Sequence, residues 1–409
     1  PIQHKTYRPQ LKADPAVIEQ LVDMLAAAER PILYTGGGII NSGPAASLLL
    51  RELAKITGAP VTSTLMGLGA FPAADPAWLG MVGMHGTFEA NNAMHDCDVM
   101  VCIGARFDDR VTGRLDAFSP GSKKIHIDID PSSINKNVRV DLPIVGDAGS
   151  VLEDLIAAWK ATGAQPNKPA LTDWWGQIDQ WRARQCLKYR ASDTVIKPQY
   201  AIQRLYELTR DKDVYITTEV GQHQMWAAQF FRFEEPNRWM TSGGLGTMGY
   251  GLPAALGVQL AHPKSLVVDI AGEASIQMCI QELSTAIQFD LPVKIFILNN
   301  EWMGMVRQWQ QLLHGERYSH SYSDSLPDFV KLAEAYGAHG IRCDDPAELD
   351  AKILEMINSD KPVIFDCRVE KYENCLPMIP SGKAHNEMIL PEEVEDLGSV
   401  IDEAGRGLV

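Results

Sequence analysis

The sequence predicts an α/β protein with two doubly wound parallel-sheet domains. Short apolar runs of strand length alternate with amphipathic segments of helical period along both halves of the 409-residue chain. Each half also contains a glycine-rich turn between a predicted strand and the next helix. This alternation favours parallel sheets covered by helices, with ligand sites at the carboxyl ends of the strands.

The first half begins with an amphipathic helix over 16–30. Its other predicted elements are a strand at 31–38, a helix at 45–58 and strands at 60–64, 99–105 and 123–130. The second half repeats the alternation, with a helix at 201–210, a strand at 214–220 and a glycine-rich stretch at 243–251. The predicted organisation is a linker over 1–13, a first domain over 14–161, an inter-domain linker over 162–196, a second domain over 197–375 and a C-terminal tail over 376–409.

Charge, hydrophobicity and cysteine content limit the partners and the location that we expect for this protein. The formal net charge of −15 disfavours nucleic acid and anionic membrane surfaces as partners. No apolar run approaches the roughly 18 residues that a membrane span needs. The seven cysteines include no Cys-x-x-Cys pair, which indicates reduced thiols and a cytoplasmic location. The chain starts at Pro1 without a visible signal peptide, so we expect that something precedes it.

Two polar groups predict a metal site in the second half. Glu273 follows a predicted strand, a predicted helix covers 276–289, and Asn300 follows the next strand, 27 positions after Glu273. A strand–helix–strand crossover brings both groups to the same carboxyl edge of a parallel sheet. Carboxylate and amide oxygens suit Mg²⁺, which also binds phosphate oxygens. Taken singly, each residue is more simply a helix cap or a loop residue.

The first half offers further polar groups, each with a structural alternative. The glycines of "TGGGIINSG" (35–43) could bring backbone N–H groups close to a phosphate, or could form a tight turn. Asp128 could accept ribose hydroxyls, whereas Asp130 before Pro131 more simply opens a turn. Arg106 and Arg110 flank two aspartates, which predicts either mutual ion pairs or a buried fork that would bind a carboxylate or a flavin.

Similar alternatives apply in the second half. Gln222 and His223 follow a strand, where His223 could contact diphosphate or could be an ordinary loop histidine. Met248 is the large apolar residue of the glycine-rich loop 242–257, where it could shape a flexible cofactor or fill the core. Pro253 suits the first turn of the helix that follows.

Eight segments together resemble the catalytic (large) subunits of the acetohydroxyacid synthase, or acetolactate synthase, family. They are YTGGGIINSG, GMHGT, GARFDDRVTGR, EVGQHQMWAAQ, GGLGTMGYGLPAA, GEASIQMCIQELSTA, LNNEWMGMVRQWQ and MIPSGKAHNEMI. RFDDR together with MGMVRQWQ separates this family from other enzymes that depend on thiamine diphosphate (ThDP). The resemblance has two departures, since Glu273 and Ala274 stand where the ThDP pattern has Asp and Gly.

The resemblance implies an FAD-binding middle domain and a domain that binds the ThDP diphosphate. The implied FAD residues are Gly36, Gly37, Gly38, Thr64, Leu65, Met84, His85, Gly104, Ala105, Arg106, Asp108, Asp128, Ile129 and Asp147. The implied ThDP residues are Gln222, His223, Gly246, Met248, Glu273, Ala274, Ser275, Asn300, Gly304 and Met305. The implied Mg²⁺ ligands are Glu273, Asn300 and the backbone carbonyl of Trp302.

The resemblance also implies the reaction. Pyruvate would be decarboxylated and joined to a second 2-ketoacid, giving 2-acetolactate or 2-aceto-2-hydroxybutyrate in branched-chain amino-acid biosynthesis. Arg110 would hold the carboxylate of the second ketoacid, and Met248 would support the bent cofactor. Trp309 would favour 2-ketobutyrate over pyruvate, with Met305 and Val306 at the same entrance. The same three side chains also suit a core-facing helix.

The implied assembly is a homodimer or homotetramer with a small regulatory subunit. Family members carry a further N-terminal domain that supplies an activating glutamate, and no segment here matches it. We therefore expect this chain to be a fragment that is inactive alone. Two alternatives stay open: another FAD- and ThDP-dependent enzyme such as a pyruvate oxidase, and a non-catalytic module that binds FAD and diphosphate.

Overall fold

The computed structural model describes residues 8–394, which form two units, each around a six-stranded parallel sheet. The first unit contains residues 8–187, Phe233–Pro236 and Leu376–Leu390. The second contains Lys188–Arg232, Asn237–Cys375 and residues 391–394. The predicted α/β class with two parallel sheets is confirmed. Predictions for 1–7 and 395–409 lie outside the described residues.

The sheet of the first unit has the strand order β3-β2-β1-β4-β5-β6. Its strands are β1 (Pro31–Thr35), β2 (Val61–Ser63), β3 (Trp78–Met81), β4 (Val99–Ile103), β5 (Lys123–Asp128) and β6 (Leu142–Val145). The order reverses between β1 and β4, so the loops that follow these two strands diverge there. Such a reversal is the usual ligand position in an open α/β sheet.

The described part of the first unit contains seven α-helices. They are α1 (Pro15–Ala27), α2 (Gly37–Asn41), α3 (Pro44–Thr57), α4 (Phe88–Asp96), α5 (Asp109–Thr112), α6 (Ala148–Thr162) and α7 (Lys168–Arg182). Local sequence sets their ends: α3 begins at a proline and stops at Gly58, which has φ +68°. The aliphatic faces of α1, α3 and α6 pack on one face of the sheet, and α4 and α7 pack on the other.

The sheet of the second unit has the strand order β11-β12-β10-β9-β7-β8. Its strands are β7 (Val214–Thr218), β8 (Trp239–Met240), β9 (Leu266–Ala271), β10 (Lys294–Asn299), β11 (His339–Cys343) and β12 (Val363–Arg368). Its helices are α8 (Pro198–Thr209), α9 (Gln222–Phe230), α10 (Gly251–Ala261), α11 (Leu283–Gln288), α12 (Gly304–Leu313), α13 (Phe329–Tyr336), α14 (Leu349–Asn358) and α15 (Pro391–Val394).

The helix predicted over 276–289 is wrong as a continuous element. Two 3₁₀ turns, Ile276–Met278 and Ile280–Glu282, precede the short α11. Cys279 between them has φ −134° and ψ 27°, outside the helical region. The side-chain Nε2 of Gln277 donates to the carbonyl of Glu273 at 2.8 Å, where a regular helix would place the N–H of Gln277.

Other differences concern edges and boundaries. Strands β3, β6, β8, β11 and β12 were not predicted; β6 contains Pro143, which is tolerated because it is an edge strand. The predicted linker 162–196 contains α7, whose Leu171, Trp174 and Ile178 are buried in the first unit. Leu376–Leu390 also belongs to that unit. The domain boundaries taken from the sequence stay predictions.

Among the described helices, none is long and apolar enough to cross a membrane.

Candidate functional site

The loops after β1 and β4 contact each other through their glycines. The N–H of Gly38 donates to the carbonyl of Gly104 at 2.9 Å. A Cβ at Gly36 would lie 2.4 Å from that carbonyl oxygen, and one at Gly38 would lie 2.5 Å from the Cα of Gly104. These glycines are therefore required by backbone packing. Gly37 is different, because a Cβ there would lie no closer than 3.4 Å to Met66.

The loops after β2 and β3 place more of the implied FAD residues at the same edge. Thr64 begins the 3₁₀ turn Leu65–Gly67, where its Oγ1 accepts from the N–H of Gly67 at 3.1 Å. Met84 is half-buried, and His85 is buried with Nδ1 3.1 Å from the carbonyl of Pro377. His85 therefore lies against the segment Leu376–Leu390, which belongs to the same unit.

The arginines after β4 form exposed ion pairs. Arg106 pairs with Asp108 at 2.7 Å and Arg110 pairs with Asp109 at 3.0 Å. More than half of each arginine side chain is exposed, so the mutual ion pairs are present and the buried fork is not. Exposed pairs of this kind contribute little to stability. Arg110 can therefore exchange Asp109 for another carboxylate at small cost.

Acidic residues end β5 and β6. Asp128 is buried; its Oδ1 accepts from the N–H of Asp130, and its Oδ2 lies 3.7 Å from Nε2 of His126, beyond hydrogen-bond range. Asp130 caps the turn at Pro131–Ser133, which confirms its predicted role. Asp147 caps α6 and accepts from Oγ of Ser42 at 2.7 Å. Glycine loops at the reversal and a carboxylate ending the adjacent strand fit a dinucleotide such as FAD.

In the second unit, Glu273 provides a buried carboxylate at the end of β9. The residue is 1% exposed and its Oε1 has no hydrogen-bond partner among the described residues. Burial raises the pKa of Glu273 to about 8; backbone N–H donors, including that of Asn300, oppose this rise. A buried carboxyl group with an unpartnered oxygen fits a metal ion, because the charge of the cation would offset the cost of ionising the group there.

Asn300, at the end of β10, lies beside Glu273. Its Oδ1 accepts from the N–H of Trp302 at 3.1 Å, and its Nδ2 donates to Oε1 of Gln222 at 3.2 Å. A Cβ at Gly304 would lie 2.0 Å from that Gln222 oxygen, so only glycine fits there. The described residues contain no group of three or more His, Cys, Asp or Glu that could hold a metal. A metal bound here therefore needs amide, carbonyl and ligand oxygens.

His223 lies between two glycines. A Cβ at Gly221 or Gly272 would lie 2.7 or 2.8 Å from its ring, so both glycines make room for the imidazole. Burial lowers the pKa of His223 to about 3, which keeps the ring neutral. Ser275 closes the adjacent turn, accepting from the N–H of Gly272 and donating to its carbonyl, each at 3.1 Å. Ala274 in that turn is half-buried.

The glycine-rich loop before α10 is held by a residue that the sequence did not single out as structural. Glu219 is fully buried, and its carboxylate accepts from the N–H groups of Gly249 and Leu252. The loop turns at Gly246 and Gly249, whose φ values are +67° and +93°, and Met248 between them is half-buried. An acid directly after a strand and 30 residues before a glycine turn carried no local signal of this contact.

A cavity of about 540 Å³ opens beside α12. Its lining residues are Met305, Val306, Trp309, Gln310, His314 and Arg317. The structure thus brings together the three side chains that the resemblance assigns to the substrate entrance. The polar members Gln310, His314 and Arg317 were missed, because only folding places the end of α12 and the following turn on one wall.

Two family models match this chain. One, described as the thiamine pyrophosphate enzyme C-terminal TPP binding domain, covers residues 219–367. The other, described as the thiamine pyrophosphate enzyme central domain, covers residues 18–155. The central-domain match includes all six strands of the first sheet, and the C-terminal-domain match begins directly after β7 and extends into β12 of the second sheet.

The chain is also similar to several named proteins. It is 48% identical over 392 residues to the acetolactate synthase isozyme 3 large subunit of Escherichia coli, covering 95% of this chain and 68% of that protein. It is 47% identical over 396 residues to the acetolactate synthase large subunit of Haemophilus influenzae, covering 97% and 68%. It is 44% identical over 384 residues to that of Cyanidium caldarium, covering 94% and 65%. The chain therefore belongs to the acetolactate synthase large-subunit family of ThDP-dependent enzymes.

Proposed function

We propose that this chain supplies the ThDP- and FAD-binding part of an enzyme that decarboxylates pyruvate and joins the product to a second 2-ketoacid, either pyruvate or 2-ketobutyrate. The observation that carries the proposal is the buried Glu273 carboxyl group, which lies against Asn300 at the carboxyl edge of the sheet and has one oxygen without a partner in residues 8–394. ThDP is the cofactor of this family, and Mg²⁺ and FAD typically accompany it. When bound, ThDP supplies the electron sink that decarboxylation of a 2-ketoacid requires.

The chain's own residues would bind and orient this cofactor. Glu273, Asn300 and the Trp302 carbonyl would hold Mg²⁺, and neutral His223 would approach a diphosphate oxygen. Met248 would support the cofactor's shape from the glycine-rich loop. The remaining diphosphate-side residues would be Gln222, Gly246, Ala274, Ser275, Gly304 and Met305. Support comes from the placement of these residues after β7, β8, β9 and β10 at one edge of the sheet.

FAD would lie at the carboxyl edge of the first unit, with Asp128 accepting from ribose hydroxyls. Its Oδ2 lies 3.7 Å from Nε2 of His126, beyond hydrogen-bond range, so that this nitrogen does not occupy the oxygen, which supports the role. Replacing Asp128 by Asn should weaken FAD binding, measured by flavin fluorescence after dialysis. Asp130→Asn, which touches only the adjacent turn, is the matched control.

Substrate recognition would involve two separate features. Arg110 would bind the carboxylate of the second ketoacid through its planar set of N–H donors. Trp309 would contact the extra methyl group of 2-ketobutyrate. One methylene in an apolar pocket is worth about 1–3 kcal/mol, which is enough to favour this substrate over pyruvate.

The large-subunit relatives support a small regulatory subunit as partner, and we propose a homodimer or homotetramer as the assembly.

The test is the variant Glu273→Gln in the parent chain. Loss of the anionic ligand should weaken Mg²⁺ and ThDP binding, measured by calorimetry. It should also lower acetolactate formation, measured colorimetrically with the family's N-terminal domain supplied in trans. Glu282→Gln is the control, since that half-buried acid lies on the same crossover and accepts from Thr285. Binding by Glu273→Gln as tight as that of the parent would contradict the proposal.

A further inference from the structure

A chain of three buried amide side chains connects Asn300 to the backbone at Cys375. Asn300 Nδ2 donates to Gln222 Oε1 at 3.2 Å, and Gln222 Nε2 donates to Gln308 Oε1 at 2.8 Å. Gln308 then makes two hydrogen bonds with the backbone of Cys375. Gln222 is 2% exposed and Gln308 is fully buried, so these contacts do not compete with water.

The backbone of Cys375 decides which way the Gln308 amide faces. The Cys375 N–H can only donate, and it lies 2.7 Å from Gln308 Oε1; the Cys375 carbonyl can only accept, and it lies 3.0 Å from Gln308 Nε2. Exchanging the oxygen and nitrogen of Gln308 would therefore break both bonds. Amide orientation is otherwise ambiguous from shape alone, and here the backbone determines it.

This orientation propagates to Asn300. Gln308 Oε1 accepts from Gln222, so the Gln222 amide turns its nitrogen towards Gln308 and towards the carbonyl of Glu373 at 3.1 Å. Gln222 Oε1 then faces Asn300 and accepts from Nδ2. At the other end, the N–H of Trp302 donates to Asn300 Oδ1. Backbone groups at both ends thus impose the same polarity on all three amides.

We propose that Gln308 is a positioning residue that orients the Asn300 amide so that its oxygen is presented to the metal ion. The inference rests on the proposed role of Asn300 as a Mg²⁺ ligand. A reversed Asn300 amide would direct N–H groups at the cation, which repels them. Partners that orient metal ligands typically change metal affinity 10- to 100-fold when removed.

The experiment measures the dissociation constant of Mg²⁺ by calorimetry, with saturating ThDP, in the parent chain and its variants. Gln308→Met, similar in size but unable to relay hydrogen bonds, should raise that constant about 10- to 100-fold. Gln308→Glu should restore affinity to within about threefold of the parent, because a buried neutral carboxyl group can accept from Gln222 and donate to Cys375.

Gln311→Met is the matched control on the same helix. Gln311 Oε1 accepts from Arg307 and Asn374, so its loss weakens contacts to the same neighbouring segment without touching the relay. We expect its Mg²⁺ affinity to equal that of the parent. Equal losses in both Met variants, or parent-like affinity in Gln308→Met, would overturn the relay.

Two further arms keep the outcomes separate. If Gln308→Met does not fold by circular dichroism, Gln308→Asn replaces it, since the shorter amide cannot reach both Gln222 and Cys375. Parent-like Mg²⁺ affinity in Gln308→Asn would then overturn the inference. If the parent itself binds no Mg²⁺ with ThDP, the proposed function fails together with the relay; if the parent binds and the variants match it, only the relay fails.

Discussion

Glu219 and Asp269 are two fully buried carboxyl groups at the carboxyl end of the second sheet, at adjoining strands β7 and β9. Glu219 accepts from the backbone N–H groups of Gly249 and Leu252 and so holds the start of α10. Asp269 accepts from Oγ1 of Thr217 at 3.1 Å, while its Oδ2 has no partner among the described residues. Burial raises the pKa of both carboxyl groups, but at Glu219 the backbone donors oppose the rise, so we assign the proton of the pair to Asp269.

The first prediction concerns Asp269→Asn. Burial, and then the charge of Glu219, raise the pKa of Asp269 well above its ordinary value of 3.8. Above pH 3.8 the folded chain therefore holds a proton that the unfolded chain releases, so folding stability falls as pH rises. Asn lacks this proton. The free energy of unfolding of the variant should therefore rise relative to that of the parent by up to about 1.4 kcal/mol per pH unit above pH 4.

Urea unfolding of both proteins between pH 4 and 8 measures this difference. Glu219→Gln is the contrasting variant: its amide cannot accept at both oxygens, so it should lose about 1–3 kcal/mol of stability. A difference between Asp269→Asn and the parent that does not change with pH would mean that Asp269 is ionised when folded.

The second prediction concerns acid sensitivity at His385 in the first unit. Burial lowers the pKa of His385 to about 4, although Nε2 contacts the carbonyl of Val111. Below pH 6.5 the imidazole of His385 binds a proton in the unfolded chain but stays neutral in the folded chain. Stability should therefore fall by up to about 3 kcal/mol between pH 6.5 and 4.

His385→Gln should remove this pH dependence, measured as the difference in unfolding free energy between variant and parent at each pH. Contributions from other histidines, such as buried His223, cancel in that difference. The exposed His320 serves as control in His320→Gln, which should keep the slope of the parent. The same slope in His385→Gln would assign the acid sensitivity elsewhere.

The third prediction concerns Gly304→Ala at the start of α12. Its Cβ would lie 2.0 Å from Gln222 Oε1 and 3.0 Å from Asn300 Nδ2, so one of these amides must move. We expect a loss of Mg²⁺ and ThDP affinity of at least about tenfold. Gly257→Ala in α10 is the control, since nothing lies within 4 Å of its Cβ and alanine should stabilise the helix by up to about 1 kcal/mol. Unchanged affinity in Gly304→Ala would show that the amide positions do not matter for binding.

The fourth prediction concerns product choice at the cavity beside α12. Trp309→Leu should reduce the preference for 2-ketobutyrate over pyruvate by about tenfold or more, because the larger ketoacid loses its apolar contact. The measurement is the ratio of the two acetohydroxyacids, formed with both ketoacids present and the family's N-terminal domain supplied in trans. Gln311→Met, on the same helix but outside the cavity lining, should keep the parent ratio. A parent-like ratio in Trp309→Leu would remove Trp309 from substrate recognition.

Local sequence determined the fold class and the edge at which the sites lie. Alternating strand-length and helix-length patterns require parallel strands, and parallel strands send every following loop to one carboxyl edge. Glu273 and Asn300 could therefore be placed together although 27 residues separate them and the helix predicted between them is broken. Asp130 was assigned to its turn for a different, local reason, since an Asx turn depends only on adjacent residues.

Tertiary structure alone decided which residues support those sites. Gly36 and Gly38 are required by Gly104, Gly272 makes room for His223, and Gln308 reaches Asn300 through Gln222. Each of these contacts depends on residues that are far apart in the chain. Local propensity records the conformation that a residue prefers, and it contains no information on which distant backbone will lie against it. That depends on strand order, which is settled only when the two faces of each sheet are buried together.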